Sequence, residues 1–452
     1  AAGDVLHHGR YESFRTSLLA LGQARGYFDA NLVTSQVKVN TAARAADLVL
    51  IYNSGPRYRF GEITVDEELV DPELIDELRT FARGDYFDQS KLQFLQAQLL
   101  QTRFFAGVIV QPDRDRAEAR EVPIRISLQP AKSHTFDVGV GYSTDTEERV
   151  SLTWRTPKIN RFGHSQTTRL EYSQVNPSGR FTYNIPLTHP LDDILQLWVR
   201  TEENEFGDID SQQDEYGTRR EQRRGNWVYG FSLRDLDESW EVLQEEVNSR
   251  FLLFGGSVAH RRHKGSLVDP VSGFSQLYTL EVGNEGLGSD VDLVRITGNL
   301  RYVVTPFPDH RVVARSELGL AEIASGDRAD LPPSLNFFAG GNQSIRGFSY
   351  QSIGNEIKLL RDDGSKKKLV VGGDRLVVAS LEYQYYFNES WRGALFIDGG
   401  DAYDTGEFDL HYGAGFGIHY ITPVGAIRVE LANSLSEDDP DWQLHLTVGA
   451  EF

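Results

Sequence analysis

The chain has 452 residues, a formal net charge of −20 and no cysteine. So acidic a chain has little positive charge with which to neutralise a phosphate backbone, which argues against nucleic-acid binding. The lack of cysteine excludes a disulfide framework, thiol chemistry and Cys-ligated zinc. No run approaches the ~20 apolar residues of a transmembrane helix, so a soluble all-β protein and a membrane β-barrel both stay open.

The first 130 residues mix helix-like and strand-like patterns. The stretch "DPELIDELRTF" has Asp71 as an N-cap and Pro72 at the first helical position, and its apolar residues Leu74, Leu78 and Phe81 follow helical spacing. "DQSKLQFLQAQLL" predicts a second helix, while "RFGEITV", "AGVIVQP" and "EVPIRISLQ" predict strands. We therefore expect a β-α-α-β-β module over residues 54–130.

Residues 1–53 repeat part of this order. "YESFRTSLLALGQARGYF" places Phe14, Leu18 and Leu21 at helical spacing, and the strand-like "LVTSQVKVN" and "ADLVLIYN" follow it. This partial copy lacks an opening strand and a first helix, and the chain starts "AAGDVL" rather than with methionine. We expect that a signal peptide has been removed and that the natural protein extends further toward the N-terminus.

From about residue 131 the pattern changes to a period of two. "RITGNLRYVV", "RLVVASLEYQYYF" and "WQLHLTVGAEF" alternate apolar and polar residues over roughly ten positions, the length of a tilted membrane-spanning strand. About 16 such strands over residues 131–452 predict an antiparallel membrane β-barrel, preceded by the small α+β modules. A soluble β-sandwich or propeller is the alternative, and Asp237 to Arg250 could hide a helix. An even strand count puts both ends of the barrel on one side, which is the periplasm if the long loops face outward.

The stretch "GGNQSIRGF" places Arg346 among glycines, at the start of a long loop over residues 342–374. In "ALFIDGG", Leu395 and Ile397 point to lipid, so Phe396 and Asp398 point into the lumen. An arginine's planar fork suits a carboxylate, so a loop folded inward would bring Arg346 to Asp398. The alternative is an exposed loop arginine and an ordinary lumen aspartate.

"GGNQSIRGF" and "FIDGG" together resemble the signature pair of the outer-membrane assembly-factor superfamily, whose members join periplasmic POTRA modules to a 16-stranded barrel. The resemblance implies a loop motif folded into the lumen, formed by Ile345, Arg346, Gly347 and Phe348. It implies that this motif contacts a strand motif formed by Phe396, Asp398 and Gly400. It also implies a place in the outer membrane of a Gram-negative bacterium, with the POTRA domains in the periplasm.

Within the superfamily, "LPPSLNFFAGGNQSIRGFSYQSIGN" resembles the TamA branch, the outer-membrane subunits of the translocation and assembly module. That resemblance implies insertion of outer-membrane proteins, secretion of autotransporters and an inner-membrane partner, TamB. Members of that branch carry more POTRA domains than this chain shows. The main barrel-assembly protein and the two-partner secretion transporters share the motifs and remain alternatives. A passive porin would explain the barrel but not the modules.

A closed barrel that inserts other proteins must open an edge. The first strand, about His134 to Ser143, and the last, Trp442 to Phe452, form the closing seam, marked by Gly139, Gly141, Gly449 and Phe452. Glycine weakens a strand, so we hypothesise that the seam parts and that a client strand pairs with the free edge. The glycines could instead pack against the inward loop. The POTRA strands could capture unfolded or partner strands, or act as rigid spacers.

The sequence carries no sign of catalysis. It contains no G-x-S-x-G and no H-E-x-x-H, and the adjacent His7 and His8 have no further ligand at metal spacing. We expect no enzyme activity, no metal and no cofactor. The "HRRH" at His260 to His263 is interpreted as an extracellular or interfacial basic cluster, and the alternative is a site for lipopolysaccharide phosphates.

Overall fold

The computed structural model describes residues 5–66, 69–242, 245–266, 269–326, 328–360, 366–423, 425–437 and 439–449. The chain divides into two compact units. The first comprises Ala1–Ser133, Pro157–His164 and Thr188–Leu191, and the second comprises the rest. Within the described residues, no helix has the length and apolar character needed to cross a bilayer.

The first unit contains three α-helices and five strands among its described residues. The helices are α1 (His8–Ala24), α2 (Pro72–Leu78) and α3 (Gln89–Gln101), with a 3-10 turn at Arg114–Arg116. The strands are β1 (Asn31–Asn40), β2 (Ala45–Asn53), β3 (Arg59–Val65), β4 (Phe105–Pro112) and β5 (Glu121–Pro130). β1 and β2 form an antiparallel pair, and a second sheet has the order β3-β5-β4. The predicted β-α-α-β-β order is confirmed.

Local sequence explains the helices of this module. The Asp71 carboxylate accepts a hydrogen bond from the Glu73 backbone N–H at 3.2 Å, which caps α2 as predicted. α2 ends at Leu78, earlier than predicted, yet Phe81 beyond it is buried. α3 buries Leu92, Leu95 and Leu99 completely. These side chains form one core with the sheet β3-β5-β4.

The predicted helix in the partial copy is present, but its apolar face is not buried. α1 contains Phe14 and Leu21, which are 58% and 53% exposed. Its buried residues are Tyr11 and Gly22 instead. The helical spacing therefore predicted the helix correctly, although the spaced residues Phe14 and Leu21 do not pack into a core.

The second unit is a closed barrel of 16 strands. Eleven strands precede the long loop: β6 (Thr135–Ser143), β7 (Glu147–Thr156), β8 (Ser165–Ser173), β9 (Ser178–His189), β10 (Asp193–Phe206), β11 (Ile209–Arg224), β12 (Trp227–Val242), β13 (Glu245–Gly265), β14 (Pro270–Gly283), β15 (Asp292–Phe307) and β16 (His310–Ser325). The loop carries a hairpin of β17 (Glu356–Leu360) and β18 (Lys366–Val370). Five strands follow: β19 (Arg375–Tyr386), β20 (Trp391–Tyr403), β21 (His411–Thr422), β22 (Gly425–Asn433) and β23 (Trp442–Gly449).

The barrel confirms the predicted fold and excludes the sandwich and the propeller. Side chains alternate as predicted: Leu395 and Ile397 are 60% and 52% exposed, whereas Phe396 and Asp398 are buried. The described residues from Asp237 to Arg250 belong to β12 and β13 and contain no helix. Neighbouring strands are antiparallel, so the barrel has two rims. We call the rim where β6 begins the turn end and the rim where β16 ends the loop end.

Candidate functional site

The long loop presents its arginine inside the barrel. Ile345, Arg346 and Phe348 are 0%, 2% and 6% exposed. Gly347 adopts φ +97°, and a Cβ there would lie 2.9 Å from the carbonyl carbon of Asn433 on β22. Because only glycine fits both this backbone conformation and this close approach, Gly347 allows the loop to turn against the barrel wall.

Arg346 binds Asp398 of β20 through two nitrogens of its guanidinium group. The Nε donates to Asp398 Oδ2 at 2.6 Å and the Nη2 donates to Oδ1 at 2.9 Å. The Arg346 backbone N–H also donates to Oδ2, at 3.1 Å. The Phe396 ring centroid lies 3.4 Å from the guanidinium carbon. The structure thus brings the loop arginine onto two of the three predicted strand residues, with bidentate and cation–π geometry.

Gly400, the third strand residue, plays a different part. The atoms nearest to a Cβ at this position belong to Val377 and Val378 of β19, and the carbonyl oxygen of Val377 would collide with it. Gly400 therefore permits close pairing of β19 with β20 and makes no described contact with the loop arginine.

Two further carboxylates surround Arg346, and sequence reasoning missed them. The Nη1 donates to Glu382 Oε2 of β19 at 2.7 Å and to Glu430 Oε1 of β22 at 3.1 Å. Burial alone would lower the pKa of Arg346, but the hydrogen bond and charge of Asp398, then Glu430 and Glu382, raise it above its ordinary value. The arginine is therefore held charged by three lumen carboxylates from three strands.

A histidine extends this network toward the turn end. His419 Nε2 lies 2.9 Å from Glu430 Oε1, and Arg392 Nε donates to His419 Nδ1 at 3.1 Å. Because arginine only donates, Nδ1 accepts this hydrogen bond, and Nε2 is left to donate to Glu430. Among the described residues, Glu382, His419 and Glu430 are the one group close enough to share a metal ion. The proton on Nε2 and the Arg346 cation occupy that position, so the arrangement fits a guanidinium rather than a metal.

The seam between β6 and β23 is sparsely paired. One residue pair, Thr447 with Ser143, joins the two strands among the described residues, and the Thr144 N–H donates to Leu446 O at 3.2 Å. By contrast, eight pairs join β22 to β23 and nine join β6 to β7. The described seam is therefore much more sparsely paired than the boundaries on either side of it.

The predicted seam glycines lie where the strands run, but not against the loop. The Ser151 hydroxyl of β7 is the atom nearest to a Cβ on Gly139, and the Arg149 side chain is nearest to one on Gly141. Gly449 pairs with Ala426 of β22. The atoms nearest to both β6 glycines thus belong to β7, and packing against the loop does not explain them. Phe452 lies outside the described residues.

One loop residue bridges the two seam strands. The side-chain amide of Asn342 donates to Ser143 Oγ at 2.7 Å and to Thr447 Oγ1 at 3.2 Å. Its backbone N–H donates to Asp145 Oδ2, in the turn after β6, at 2.8 Å. Asn342 is 6% exposed. We call Asn342, Ser143, Asp145 and Thr447 the seam clasp.

Asp145 gives the clasp a carboxyl group with a raised pKa. Burial raises the pKa of Asp145 from 3.8 to about 6, although the hydrogen bond from the Asn342 backbone opposes this shift. The carboxyl group therefore changes charge near neutral pH. The clasp was not predicted, since its members come from the loop and from both ends of the barrel sequence.

Residues 131–452 match the Omp85 superfamily domain. The chain belongs to the Omp85 superfamily. Its second unit is accordingly an outer-membrane β-barrel of that superfamily. The chain is 23% identical over 432 residues to the outer membrane protein assembly factor BamA of Nitratidesulfovibrio vulgaris. The match covers 90% of this chain and 52% of that relative, so the chain spans about half of the relative's length.

Two solved structures share the fold of this chain. BamA from Haemophilus ducreyi lacking POTRA domains 1-3 superposes with a TM-score of 0.86 at 16% identity, covering 100% of this chain and 95% of that one. CdiB from Acinetobacter baumannii superposes with a TM-score of 0.57 at 14% identity, covering 100% and 83% of the two chains. At these identities the likeness establishes the fold alone.

Proposed function

We propose that this Omp85-superfamily protein inserts client proteins into the outer membrane through the seam between β6 and β23. The observation that carries the proposal is the single described residue pair across the seam. Unpaired N–H and C=O groups on a strand edge are a template for another strand. A client strand can therefore add to this edge by β-augmentation, with main-chain hydrogen bonds that do not depend on its sequence.

The loop arginine also supports this function, because it holds the loop in place inside the barrel. We call Arg346 and its partners Asp398, Glu382 and Glu430 the lock. Arg346 is buried among three carboxylates, and Gly347 donates its backbone N–H to His445 Nε2 of β23 at 3.1 Å. The loop thus holds the last strand together with β19, β20 and β22. Removing one partner of a buried ion pair costs about 3–5 kcal/mol, so the loop should stay seated until a client or partner displaces it.

A disulfide across the seam tests this function. Ser143→Cys with Thr447→Cys joins directly opposed positions, and the natural chain has no other cysteine. In proteoliposomes, insertion of an autotransporter barrel should stop on oxidation and return on reduction. Leu431→Cys with Leu444→Cys, opposed on β22 and β23, is the matched control and should keep its activity when oxidised. Full insertion by the seam-locked protein would refute the proposal.

The finer assignment within the superfamily rests on two kinds of likeness. The matched relatives include BamA and CdiB, and both fit the general barrel-assembly alternative. The TamA branch is supported by the stretch from Leu331 to Asn355. On that reading the first unit lies in the periplasm and engages TamB. Co-purification of TamB with this chain would favour the TamA branch, and co-purification of other assembly subunits would favour the BamA type.

We further propose that the protein acts without catalysis and is not a passive porin. The inward loop occupies part of the lumen, where Arg346 is buried against strands β19, β20 and β22. Planar-bilayer recordings should therefore show small, fluctuating conductance. A large and steady open channel would favour the porin.

A further inference from the structure

A basic and aromatic patch lies on the outside of the barrel at the turn end. Cross-strand pairs place its members side by side: Arg224 of β11 pairs with Trp227 of β12, and Trp227 pairs with His260 of β13. Arg262 of β13 pairs with Phe274 of β14. We call these residues, together with Lys264, the basic rim.

The basic rim faces the lipid. In a strand, residues separated by an even number share a face. Trp227 therefore shares the face of Phe231, which is 64% exposed, while His260, Arg262 and Lys264 share the face of Phe254, which is 44% exposed. On the outer surface of a membrane barrel, these exposed apolar side chains meet lipid.

Aromatic rings fix the depth of the basic rim. The ring centroids of Trp227 and His260 are 4.6 Å apart, those of His260 and Phe274 are 6.1 Å apart, and those of Phe274 and Tyr302 are 6.4 Å apart. A row of such rings is typical of the interface between hydrocarbon and water, where aromatic belts sit at the headgroups. The cations beside the rings therefore lie at headgroup depth.

The charge of the basic rim is not balanced by the protein. Arg224, Arg262 and Lys264 are exposed, and among the described residues no ion pair joins them to a carboxylate. On β10, Asp193 is already held by Arg220 at 2.8 Å and 2.9 Å. Three outward cations in a chain of net charge −20 therefore present a positive field to the membrane surface.

We propose that the basic rim binds the phosphate of an anionic phospholipid headgroup in the periplasmic leaflet. This rests on the proposed function and on the orientation expected from the even strand count, in which both ends of the barrel, and so the turn end, face the periplasm. It also places the "HRRH" stretch opposite the loop end, so lipopolysaccharide, which occupies the outer leaflet, is not its ligand. Arg262 and Lys264 supply the positive charge that binds the phosphate. Trp227 and Phe274 flank the part of the acyl chain next to the headgroup.

Lipid retention measured by native mass spectrometry tests the proposal on the full chain. The protein is exchanged into mixed micelles containing phosphatidylglycerol, phosphatidylcholine or lipid A, and bound lipids are counted after mild activation. A triple variant, Arg224→Gln, Arg262→Gln and Lys264→Gln, removes the cations of the basic rim. Each cation near an anionic lipid surface is worth a factor of about five, so apparent affinity for phosphatidylglycerol should fall by up to about 100-fold.

The matched control removes three exposed cations outside the barrel: Lys38→Gln, Arg44→Gln and Lys132→Gln. It changes the net charge equally and should retain phosphatidylglycerol as the natural protein does. Retention by the basic-rim variant equal to that of the control would overturn the proposal. Preferential binding of lipid A that the variant loses would overturn the choice of leaflet. Because retention does not involve client insertion, failure here is distinct from failure of the seam mechanism.

Discussion

Removing the side-chain amide of Asn342 should weaken the hold of the loop on the seam. Asn342→Ala deletes the hydrogen bonds to Ser143 and Thr447, at 2.7 Å and 3.2 Å, and keeps the backbone bond to Asp145. Each net hydrogen bond is worth about 0.5–1.5 kcal/mol, so the closed seam should lose about 1–3 kcal/mol. The population with parted strands should rise about 5- to 150-fold.

Hydrogen exchange read by mass spectrometry in proteoliposomes measures this opening. The Thr144 amide, which donates to Leu446 O across the seam, reports parting directly. Its exchange should accelerate by the same 5- to 150-fold factor, while amides between β19 and β20 keep their rates. The control is Gln343→Ala, since this neighbouring side chain is exposed.

A double-mutant cycle isolates the bridging bond. Thr447→Val removes the hydroxyl with little change in shape, and it should have less effect in the Asn342→Ala background than alone. Unchanged Thr144 exchange in Asn342→Ala, with the barrel still folded, would show that the clasp does not limit opening. Simple additivity with Thr447→Val would show that the two side chains act separately.

Three further outcomes follow from the site. Arg346→Gln should destabilise the seated loop by about 3–5 kcal/mol. Arg346→Lys should restore only part of the lost stability, because lysine cannot make the bidentate contact with Asp398. The rate of proteolysis within the loop measures both effects. The pKa of Asp145 is raised to about 6 in the folded barrel, so the charged carboxylate lowers the stability of the closed seam. The closed seam should therefore become more stable, and Thr144 exchange slower, as pH falls from 7 toward 5. Asp145→Asn should flatten this pH dependence of Thr144 exchange. Gly347→Ala should unseat the loop, because its Cβ would clash with the backbone of Asn433, and the same proteolysis measures this. The comparison is Gly256→Ala, where a Cβ would meet no atom within 4 Å.

The strand residues of the lock were within reach of sequence reasoning because alternation is a local property. A period of two in "ALFIDGG" was enough to place Phe396 and Asp398 in the lumen, where the structure has them. Glu382 carried the same signal, as a charge between Leu381 and Tyr383, which are 54% and 39% exposed. What local pattern did not supply was register, which sets Glu382 directly opposite Phe396.

The clasp was out of reach for a different physical reason. Ser143 and Thr447 become neighbours only when 16 strands close into a barrel, and closure depends on the twist and stagger of every pair. Asn342 then meets both strands because the loop returns to that point. A short polar side chain in a glycine-rich loop carries no sequence signal that its partners lie about 200 and 100 residues away.

The lock and the clasp belong to one segment, which ties seam opening to the position of the loop. Asn342 and Arg346 are four residues apart, and between them the chain turns through the buried Ile345. Arg346 binds β19, β20 and β22, whereas Asn342 binds β6 and β23, so a loop displaced from the lumen breaks both sets of bonds together. Breaking the buried ion pairs costs more free energy than breaking the hydrogen bonds of the clasp. The ion pairs should therefore set most of the free energy needed to open the seam, and the clasp should add a smaller part. A client or partner that competes with Arg346 for Asp398 would thereby open the seam from inside the lumen.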